Sequence, residues 1–165
     1  MGNKDKGYLI TFEGGEGCGK STQCKKLGDM LISSGHEIIL TREPGGTQGA
    51  EEIRNLLVNG DKGKWDALTE TLLHSAARRD HFLRVIKPAI EQGKIVICDR
   101  FIDSTFAYQS YGHGIDYDKI SDLQQWVTDS YFPDLTFILD IDIEDGLKRA
   151  ASRDDKEDRY EKMGN

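Results

Sequence analysis

The sequence predicts a three-layer α/β/α fold built around a parallel sheet, and two patterns support this prediction. Four short apolar runs are continuous rather than alternating, which is typical of strands that a parallel sheet buries on both faces. The longer segments between them repeat apolar residues at helical spacing. Because strands alternate with helices, the chain should form βαβ units with right-handed crossovers and cover the sheet on both sides.

The predicted strands are rich in β-branched and aromatic residues and span residues 8–12, 38–40, 95–98 and 135–139. Apolar stripes predict the helices between them. These stripes comprise Cys24, Leu27, Met30 and Leu31; Leu68, Leu72 and Ala76; Leu83, Ile86 and Ile90; and Leu123, Trp126 and Val127. Pro88 should kink the helix that carries the second and third stripes, or lie in its last turn, because proline has no backbone N–H to donate.

Composition limits the possible functions. The chain has 165 residues, 37% of them hydrophobic, and no linker or internal repeat, so we expect a single domain over residues 1–165. A formal net charge of −7 argues against nucleic-acid binding, because such proteins need a basic surface that neutralises phosphates. A small anionic substrate remains possible if positive side chains converge in a cleft.

The sequence gives no sign of membrane association or of disulfides. No segment approaches the roughly 20 consecutive apolar residues that cross a bilayer, and the first residues lack the apolar core of a secretory signal. Cys18, Cys24 and Cys98 are odd in number and widely spaced, without the pairing that marks a zinc site. We therefore expect free thiols in a cytoplasmic protein.

The strongest motif follows the first predicted strand. Residues 14–21 match G-x-x-x-x-G-K-[ST], the phosphate-binding P-loop. Its glycines let backbone N–H groups surround a phosphate, its lysine (Lys20) neutralises the β- and γ-phosphates, and its hydroxyl (Ser21) ligates Mg²⁺. The next helix directs its positive end at the anion. The motif predicts an ATP site formed by Gly14, Gly15, Glu16, Gly17, Cys18, Gly19, Lys20, Ser21 and Thr22.

Charged residues follow two other predicted strands. Asp99 closes the third strand, where P-loop enzymes place a carboxylate beside the metal, and Arg100 comes next. Arg42 follows the second strand. Ligands of open α/β sheets bind at this edge, and guanidinium groups suit phosphate and carbonyl oxygens. With Arg54 and Arg78, these residues predict a second, phosphorylated substrate.

Glu16 is an unusual residue for a phosphate-binding loop. A negative charge beside ATP phosphates is unfavourable unless it faces a cation or an acceptor hydroxyl. A side chain turned out to solvent is the alternative, and the sequence leaves both open.

These segments resemble one family, the bacterial thymidylate kinases, over nearly the whole chain. Residues 12–23 are similar to that family's P-loop, including the additional acidic residue at Glu16. Residues 41–47 resemble its TREPGGT segment, and Ala76-Ala77-Arg78 lies where the family has its base-binding arginine. Residues 99–104 and 107–109 resemble its DRY-x-x-S and AYQ stretches. The resemblance implies a P-loop NTPase fold and phosphorylation of thymidine monophosphate by Mg-ATP.

The resemblance also implies roles for the matching residues. Lys20 and Ser21 would hold ATP and Mg²⁺, with Asp99 on the metal side, while Glu16 would contact the acceptor sugar and phosphate. Arg100 would hold the acceptor phosphate. The implied substrate-binding residues are Arg42 and Arg100 at the phosphate, Arg78 at a thymine carbonyl with Arg54, Thr105 and Gln109, Tyr108 against the sugar, and His74 near the base.

In this family an activating arginine comes from the P-loop or from a lid near the C-terminus. The P-loop position here is Gly17, so the resemblance implies a lid over residues 148–165, with Arg149 and Arg153 as the best matches. Charge patterning alone favours an ordinary solvated helix or loop there. The implied catalytic residues are Lys20, Glu16, Arg100, Arg153 and Arg149.

Two departures from the family pattern stand out. The family usually has Phe where this chain has His74, and an imidazole offers less apolar area for stacking and can titrate. Family members also continue past the position of Asn165 with a helix, a strand and a last helix. We therefore expect this domain to lack those elements, with a sheet position left empty or the fold dependent on a partner.

Other functions stay possible on the sequence. The nearest is a P-loop kinase for another nucleoside monophosphate, since the same donors could bind uracil. A second is a nucleotide-binding protein without turnover. A GTPase is disfavoured, because the chain has no N/T-K-x-D guanine signature. The resemblance implies a homodimer, although the apolar stripes fit a core equally well.

Overall fold

The computed structural model describes residues 6–59 and 63–152. In that part of the chain, four parallel strands form one sheet in the order β2-β3-β1-β4, comprising β1 (Tyr8–Gly14), β2 (Ile38–Arg42), β3 (Ile95–Asp99) and β4 (Leu135–Leu139). The register places Asp99 beside Phe12 and Arg42 beside Asp99. The carboxyl ends of β1, β2 and β3 therefore meet at one edge, and the predicted α/β fold with a parallel sheet is confirmed.

Helices connect the strands and flank the sheet. They are α1 (Lys20–Ser33), α2 (Gln48–Val58), α3 (Ala67–His81), α4 (Lys87–Glu91), α5 (Ile102–Thr105), α6 (Tyr117–Val127) and α7 (Ile143–Ala151). Two wider π-helical segments, Phe82–Ile86 and Phe106–Gly112, continue α3 and α5. Thr47, Asp66, Asp116 and Asp142 cap α2, α3, α6 and α7 by accepting backbone N–H groups.

The strands divide the apolar side chains into two cores, one on each face of the sheet. On one face, Leu9 and Val96 pack with Phe82 and Ile86. On the other face, Phe12, Ile97 and Cys24 form a second cluster against α1. Successive strand residues point to opposite faces, so this alternation within β1 and β3 produces the three layers.

Pro88 lies in the last turn of one long helical stretch that runs through α3, the π-helical segment and α4. The backbone N–H of Lys87 bonds the carbonyl of Phe82, five residues back. A proline clashes with the carbonyl four residues before it, and a wider turn relieves that crowding. The sequence prediction for Pro88 is confirmed.

The sequence left open whether the apolar stripe of α3 belongs to a core or to a dimer face. Leu68, Leu72 and Ala76 do not face the core; the buried face of α3 is polar and includes Glu70, Ser75, Arg78 and His81. Of these four residues Arg78 lines the cavity, and Glu70, Ser75 and His81 bond to residues of other elements.

The strand β4 was predicted to be buried on both faces, and this expectation is wrong. Ile138 is 76% exposed, and Leu135 and Phe137 are also exposed. Among the described residues β4 pairs only with β1, so it lies at an edge of the sheet, where one flank is not covered. No helix in the described ranges combines the length and apolar character needed to cross a membrane.

Candidate active site

The loop between β1 and α1 has the conformation that its glycines predict. Gly17 and Gly19 have φ angles of 71° and 96°, in the left-handed region that favours glycine. Lys20 begins α1 and is 7% exposed. Its Nζ donates to the carbonyl oxygens of Gly14 at 3.0 Å and Gly15 at 2.8 Å. The ammonium group is therefore held inside the loop, where a phosphate-binding lysine belongs.

Ser21 and Asp99 come together although they are far apart in sequence. The Ser21 hydroxyl donates to Oδ2 of Asp99 at 2.6 Å. A hydroxyl and a carboxylate oxygen at this separation can both ligate one hard cation, so the pair fits the Mg²⁺ that P-loop kinases use.

A different trio of potential metal ligands, Glu43, His81 and Cys98, also converges in the described part of the chain. All three are buried, and the carboxylate of Glu43 is already bound by His81 and by Arg78. This trio therefore does not fit a metal site.

A cavity of about 380 Å³ opens beside the P-loop. It brings together the loop, the metal-side pair and all of the predicted substrate-binding residues. Its lining includes Glu16, Gly17, Gly19, Lys20, Ser21, Arg42, Arg54, His74, Arg78, Asp99, Arg100, Thr105, Tyr108 and Gln109. Gly14, Gly15, Cys18 and Thr22 belong to the same loop and helix start but do not line the cavity.

Arg100 enters the cavity from the end of β3. Its φ of 67° is left-handed, an uncommon conformation for a residue with a side chain. The backbone N–H of Arg100 donates to the Phe12 carbonyl at 2.9 Å, so it continues the pairing of β3 with β1. Its Nη2 forms an ion pair with Glu16, and Nη1 donates to Ser104 Oγ at 3.1 Å. Glu16 thus faces a cation rather than solvent.

Glu13 holds the backbone that follows Arg100 in place through hydrogen bonds. It is 3% exposed and accepts hydrogen bonds from the Phe101 backbone N–H at 2.7 Å and from the Ser104 hydroxyl at 2.6 Å. Burial raises the pKa of Glu13, while Ser104 and the Phe101 N–H oppose the rise. Because Ser104 also binds Arg100, this carboxylate helps to fix the direction of the guanidinium.

Arg78 is the most constrained charged residue of the cavity. It is 3% exposed, and Nε donates to Glu43 Oε2 at 2.6 Å. Nη1 donates to Thr105 Oγ1 at 2.9 Å and to Gln124 Oε1 at 2.6 Å, and Nη2 donates to the Phe101 carbonyl at 2.9 Å. Within the described part of the chain, four of its five N–H groups bind protein acceptors, which leaves one N–H of Nη2 for a ligand.

Glu43 carries the charge that balances Arg78. Burial works against ionisation of Glu43, but Arg78 and His81 outweigh it and hold the pKa of this carboxyl below its ordinary value. A buried pair of this kind is costly to break, since either partner alone would be an uncompensated buried charge.

Arg42 and Arg54 approach the cavity from its rim. Arg42 pairs with Glu51 at 3.1 Å, and its side chain is half exposed. Nη1 of Arg54 donates to the Pro44 carbonyl at 2.8 Å. The guanidinium of Arg54 thus lies beside the segment that follows β2, and that of Arg42 lies beside α2.

His74 lines the cavity close to several arginines. Burial lowers the pKa of His74 to about 3, and the positive charges of Arg78, Arg100 and Arg54 contribute while Glu43 opposes them. The imidazole is therefore neutral at physiological pH. The expectation that it could titrate in the working range does not agree with this environment.

Three further residues complete the wall opposite α1. Thr105 is 2% exposed and accepts from Arg78. Gln109 is equally buried, and its Nε2 donates to Glu70 Oε1 at 3.2 Å. The Tyr108 ring lies 5.5 Å from the Arg100 guanidinium carbon, within cation–π range.

The P-loop contacts α7 without any intervening side chain. A Cβ added at Gly17 would lie 2.1 Å from the Gly146 carbonyl oxygen, and one added at Gly146 would lie 2.7 Å from the Glu16 carbonyl oxygen. Arg149, further along α7, is exposed and does not line the cavity. Arg153 and most of the predicted lid lie outside the described residues.

Sequence reasoning did not assign the residues that hold the cavity together. Glu13, Glu43, Ser104 and His81 receive no role from the P-loop motif or from the position of the strand ends. The first three lie inside segments that carry the family resemblance, which was the available signal. Apart from the contact between Ser104 and Arg100, their partners are 35 to 91 residues away in the chain, so these contacts could not be derived from local pattern.

Comparison with known proteins gives a consistent result. The family model for thymidylate kinases matches residues 12–164. A thymidylate kinase of Caulobacter vibrioides is 53% identical over 148 residues, which cover 90% of this chain and 71% of that protein. A thymidylate kinase of Halothermothrix orenii is 50% identical, with 95% and 76% covered. The crystal structure of thymidylate kinase from Ehrlichia chaffeensis superimposes with a TM-score of 0.77 at 48% identity, covering 88% of this chain and 82% of that one.

Proposed function

Because this chain belongs to the thymidylate kinase family, we infer that it transfers the γ-phosphoryl group of ATP to thymidine monophosphate, which yields thymidine diphosphate and ADP. The observation that best supports this function is the single cavity shared by the P-loop lysine and all of the predicted acceptor residues. Donor and acceptor must lie side by side for direct phosphoryl transfer, and this cavity allows it.

We propose that the P-loop holds the donor. Backbone N–H groups between Gly14 and Lys20 would surround the phosphates, and Lys20 would exchange its carbonyl contacts for the β- and γ-phosphate oxygens. Ser21 and Asp99 would hold Mg²⁺, which would neutralise negative charge on the phosphates. The Ser21–Asp99 hydrogen bond keeps these two ligands together before any ion arrives.

Arg100 would bind the acceptor phosphate. Its left-handed backbone and its contacts with Glu16 and Ser104 hold the guanidinium at the P-loop side of the cavity. Arg42 would add a second positive charge from the rim. Together they would position the attacking phosphate oxygen and stabilise charge on the transferred group, which is most of what a protein contributes to this reaction.

Arg78 would recognise the base. Its remaining N–H can donate to one carbonyl oxygen, and Thr105 and Gln109 lie beside it in the wall. Tyr108 would contact the sugar, and His74 would stack on the ring as a neutral imidazole. For the activating arginine we propose Arg149 or Arg153, on the resemblance alone.

An assay of ADP release with Mg-ATP tests the function directly. It would compare the monophosphates of thymidine, deoxyuridine, uridine, cytidine and adenosine, with EDTA as the metal-removal control. We expect selective turnover of thymidine monophosphate and no turnover in EDTA. Comparable rates with uridine monophosphate would favour a less selective nucleoside monophosphate kinase. ATP binding without turnover of any acceptor would favour a binding protein.

Replacing His74 with phenylalanine should strengthen base binding. A full aromatic ring stacks with more apolar area, so we expect the KM for thymidine monophosphate to fall by about three- to tenfold. The ratio of the two KM values should stay constant from pH 6 to pH 8, because His74 is already neutral throughout that range. A ratio that changes near pH 6.5 would show that the imidazole titrates with its ordinary pKa.

His74 should also affect stability at low pH. Its folded-state pKa lies below the ordinary value, so the unfolded chain binds more protons at acidic pH. The free energy of unfolding should therefore decrease as the pH falls below about 6.5, and this contribution should be absent in H74F. Denaturant unfolding of both proteins at pH 7.5 and pH 5 measures the difference.

We also propose a homodimer that forms through α3 and α6. Leu68, Leu72 and Leu83 lie on one exposed stripe of the long helix, and Trp126 on α6 is 84% exposed. Exposed apolar side chains of this size are typical of a protein interface. Sedimentation velocity at micromolar concentration tests this proposal, and a monomer would contradict it.

We also propose a cytoplasmic location, which the free cysteines support.

A further inference from the structure

We propose that His81 is a positioning residue of the acceptor site and acts on the base of the substrate through Glu43 and Arg78. The inference rests on the proposed function, because its readout is the binding of thymidine monophosphate. His81 is completely buried and does not line the cavity. Any effect on the substrate must therefore pass through other side chains.

A continuous chain of hydrogen bonds connects His81 to the cavity. Nε2 of His81 lies 2.7 Å from Thr41 Oγ1, and Nδ1 lies 3.1 Å from Glu43 Oε1. The other oxygen of Glu43 accepts from Arg78 Nε at 2.6 Å. An ionised carboxylate only accepts hydrogen bonds, so Nδ1 of His81 carries the hydrogen that Glu43 accepts, while Nε2 pairs with the Thr41 hydroxyl.

This chain joins the two elements that build the acceptor site. Thr41 and Glu43 belong to β2 and the segment after it, whereas Arg78 and His81 lie one turn apart on α3. The imidazole therefore links α3 to β2 through Thr41 and to the segment after β2 through Glu43. Both residues next to Glu43 in sequence, Arg42 and Pro44, line the cavity, as does Arg78 itself.

Packing around the ring shows that its place is specific. Gly46 has a φ of 89°, and a Cβ there would lie 2.5 Å from Nε2 of His81 and 2.6 Å from Thr41 Oγ1. The segment after β2 thus passes directly over the imidazole with no room for a side chain. His81 therefore packs against this segment at Gly46 and binds Glu43 by a hydrogen bond.

The consequence for the substrate follows from the geometry of Arg78. Only one N–H of Arg78 remains for a base carbonyl, and a single hydrogen bond depends on direction. With His81 bound to Oε1 and Arg78 Nε bound to Oε2, each oxygen of the Glu43 carboxylate has a partner, which restricts its rotation. Without the bond to His81 the terminal torsion of Glu43 has a broad range, and the guanidinium can tilt with it.

Two near-isosteric variants separate the two bonds of the ring. His81→Asn keeps a donor where Nδ1 stood and can still bind Glu43, whereas His81→Gln keeps a polar group near Nε2 and loses Glu43. We expect H81Q to raise the KM and the calorimetric Kd for thymidine monophosphate about tenfold, the size of one hydrogen bond to a charged group. H81N should change them less than about threefold, and kcat and the KM for ATP should move less than about twofold in both.

Thr71→Val is the matched control. Thr71 is also buried on α3, but among the described residues its hydroxyl bonds only the Ala67 carbonyl of its own helix. The variant should lower the melting temperature and leave the affinity for thymidine monophosphate unchanged. A general loosening of α3 would instead weaken binding in T71V and H81Q alike, and that result would overturn the positioning role.

A double variant tests whether His81 acts through Arg78. Adding H81Q to R78A should change the Kd for thymidine monophosphate by less than about twofold, because the group through which His81 acts is already absent. Multiplicative losses would overturn the proposal. If H81Q does not fold, Thr41→Val keeps the side-chain shape and removes the hydrogen bond between Thr41 and the His81 ring. A Kd for thymidine monophosphate equal to that of wild type would then contradict the role of this hydrogen-bond chain.

The outcome for the wild-type protein separates this inference from the proposed function. A wild-type chain that neither binds nor phosphorylates thymidine monophosphate contradicts the function itself. A wild-type chain that does both, with H81Q equal to it in Kd, contradicts only the role of His81.

Discussion

Replacing Lys20 with alanine should lower kcat by about 10³-fold, the loss expected when one preorganised positive donor is removed from a charged transition state. Lys20 is the P-loop lysine, and its ammonium lies within the loop on the carbonyls of Gly14 and Gly15. It would neutralise charge on the β- and γ-phosphates at the moment that charge increases. Single-turnover measurements with saturating ATP would isolate this step from nucleotide binding.

Lys26→Ala is the control for this variant. Lys26 lies on the same helix, is exposed and faces away from the cavity lining. We expect its kcat to equal that of wild type. A loss of less than tenfold in K20A, measured beside this control, would be evidence against the assignment of the P-loop to the donor phosphates.

Arg78→Ala should have the second largest effect, and it should appear in both binding and stability. The KM for thymidine monophosphate should rise about 100-fold, with the KM for ATP nearly unchanged, because a base carbonyl loses its charged donor. The free energy of unfolding should fall by about 3–5 kcal/mol, because Glu43 would be left as a buried charge without its main partner. Initial rates and urea unfolding measure the two effects.

The neighbouring arginine provides an internal control. Nη1 of Arg79 binds the carbonyls of Trp126 and Val127 and pairs with Asp129, outside the cavity. These contacts hold the end of α6, so R79A should lose stability and keep its affinity for thymidine monophosphate. Equal affinity in R78A and wild type would remove Arg78 from the acceptor site.

The strands were predictable because burial dictates their composition. Residues 95–98 form a continuous apolar run and lie at the centre of the sheet, covered on both faces. The same pattern is misleading for β4, whose run is equally apolar although Ile138 is exposed. A continuous apolar segment records what a strand can bury, whereas its position in the sheet decides what it does bury.

The helix α3 shows what an apolar pattern cannot predict, namely which polar residues are buried. Its apolar stripe of Leu68, Leu72 and Ala76 fitted a core and a dimer face equally well, and the buried side carries Arg78 and Glu70 instead. Polar residues are buried here because each finds partners on other elements. Helical periodicity cannot reveal such partners, since it describes one helix at a time.

The residues of the site divide into those that a local sequence pattern could place and those that it could not. Those at strand ends, such as Asp99 and Arg42, could be placed at one edge from the sequence, because parallel strands end together. Those that support them, such as Glu13 and His81, bond to residues dozens of positions away and required the structure. Chemistry-bearing groups follow local motifs, and their orientation depends on long-range packing.

The contact between Gly17 and Gly146 links two positions that are far apart in sequence. Because backbone meets backbone there, a side chain at either position would act as a wedge between the P-loop and α7. A lineage that gained an arginine at position 17 would first have to move this helix away from the loop. A side chain at either position should therefore be tolerated only in proteins in which the P-loop and α7 lie further apart.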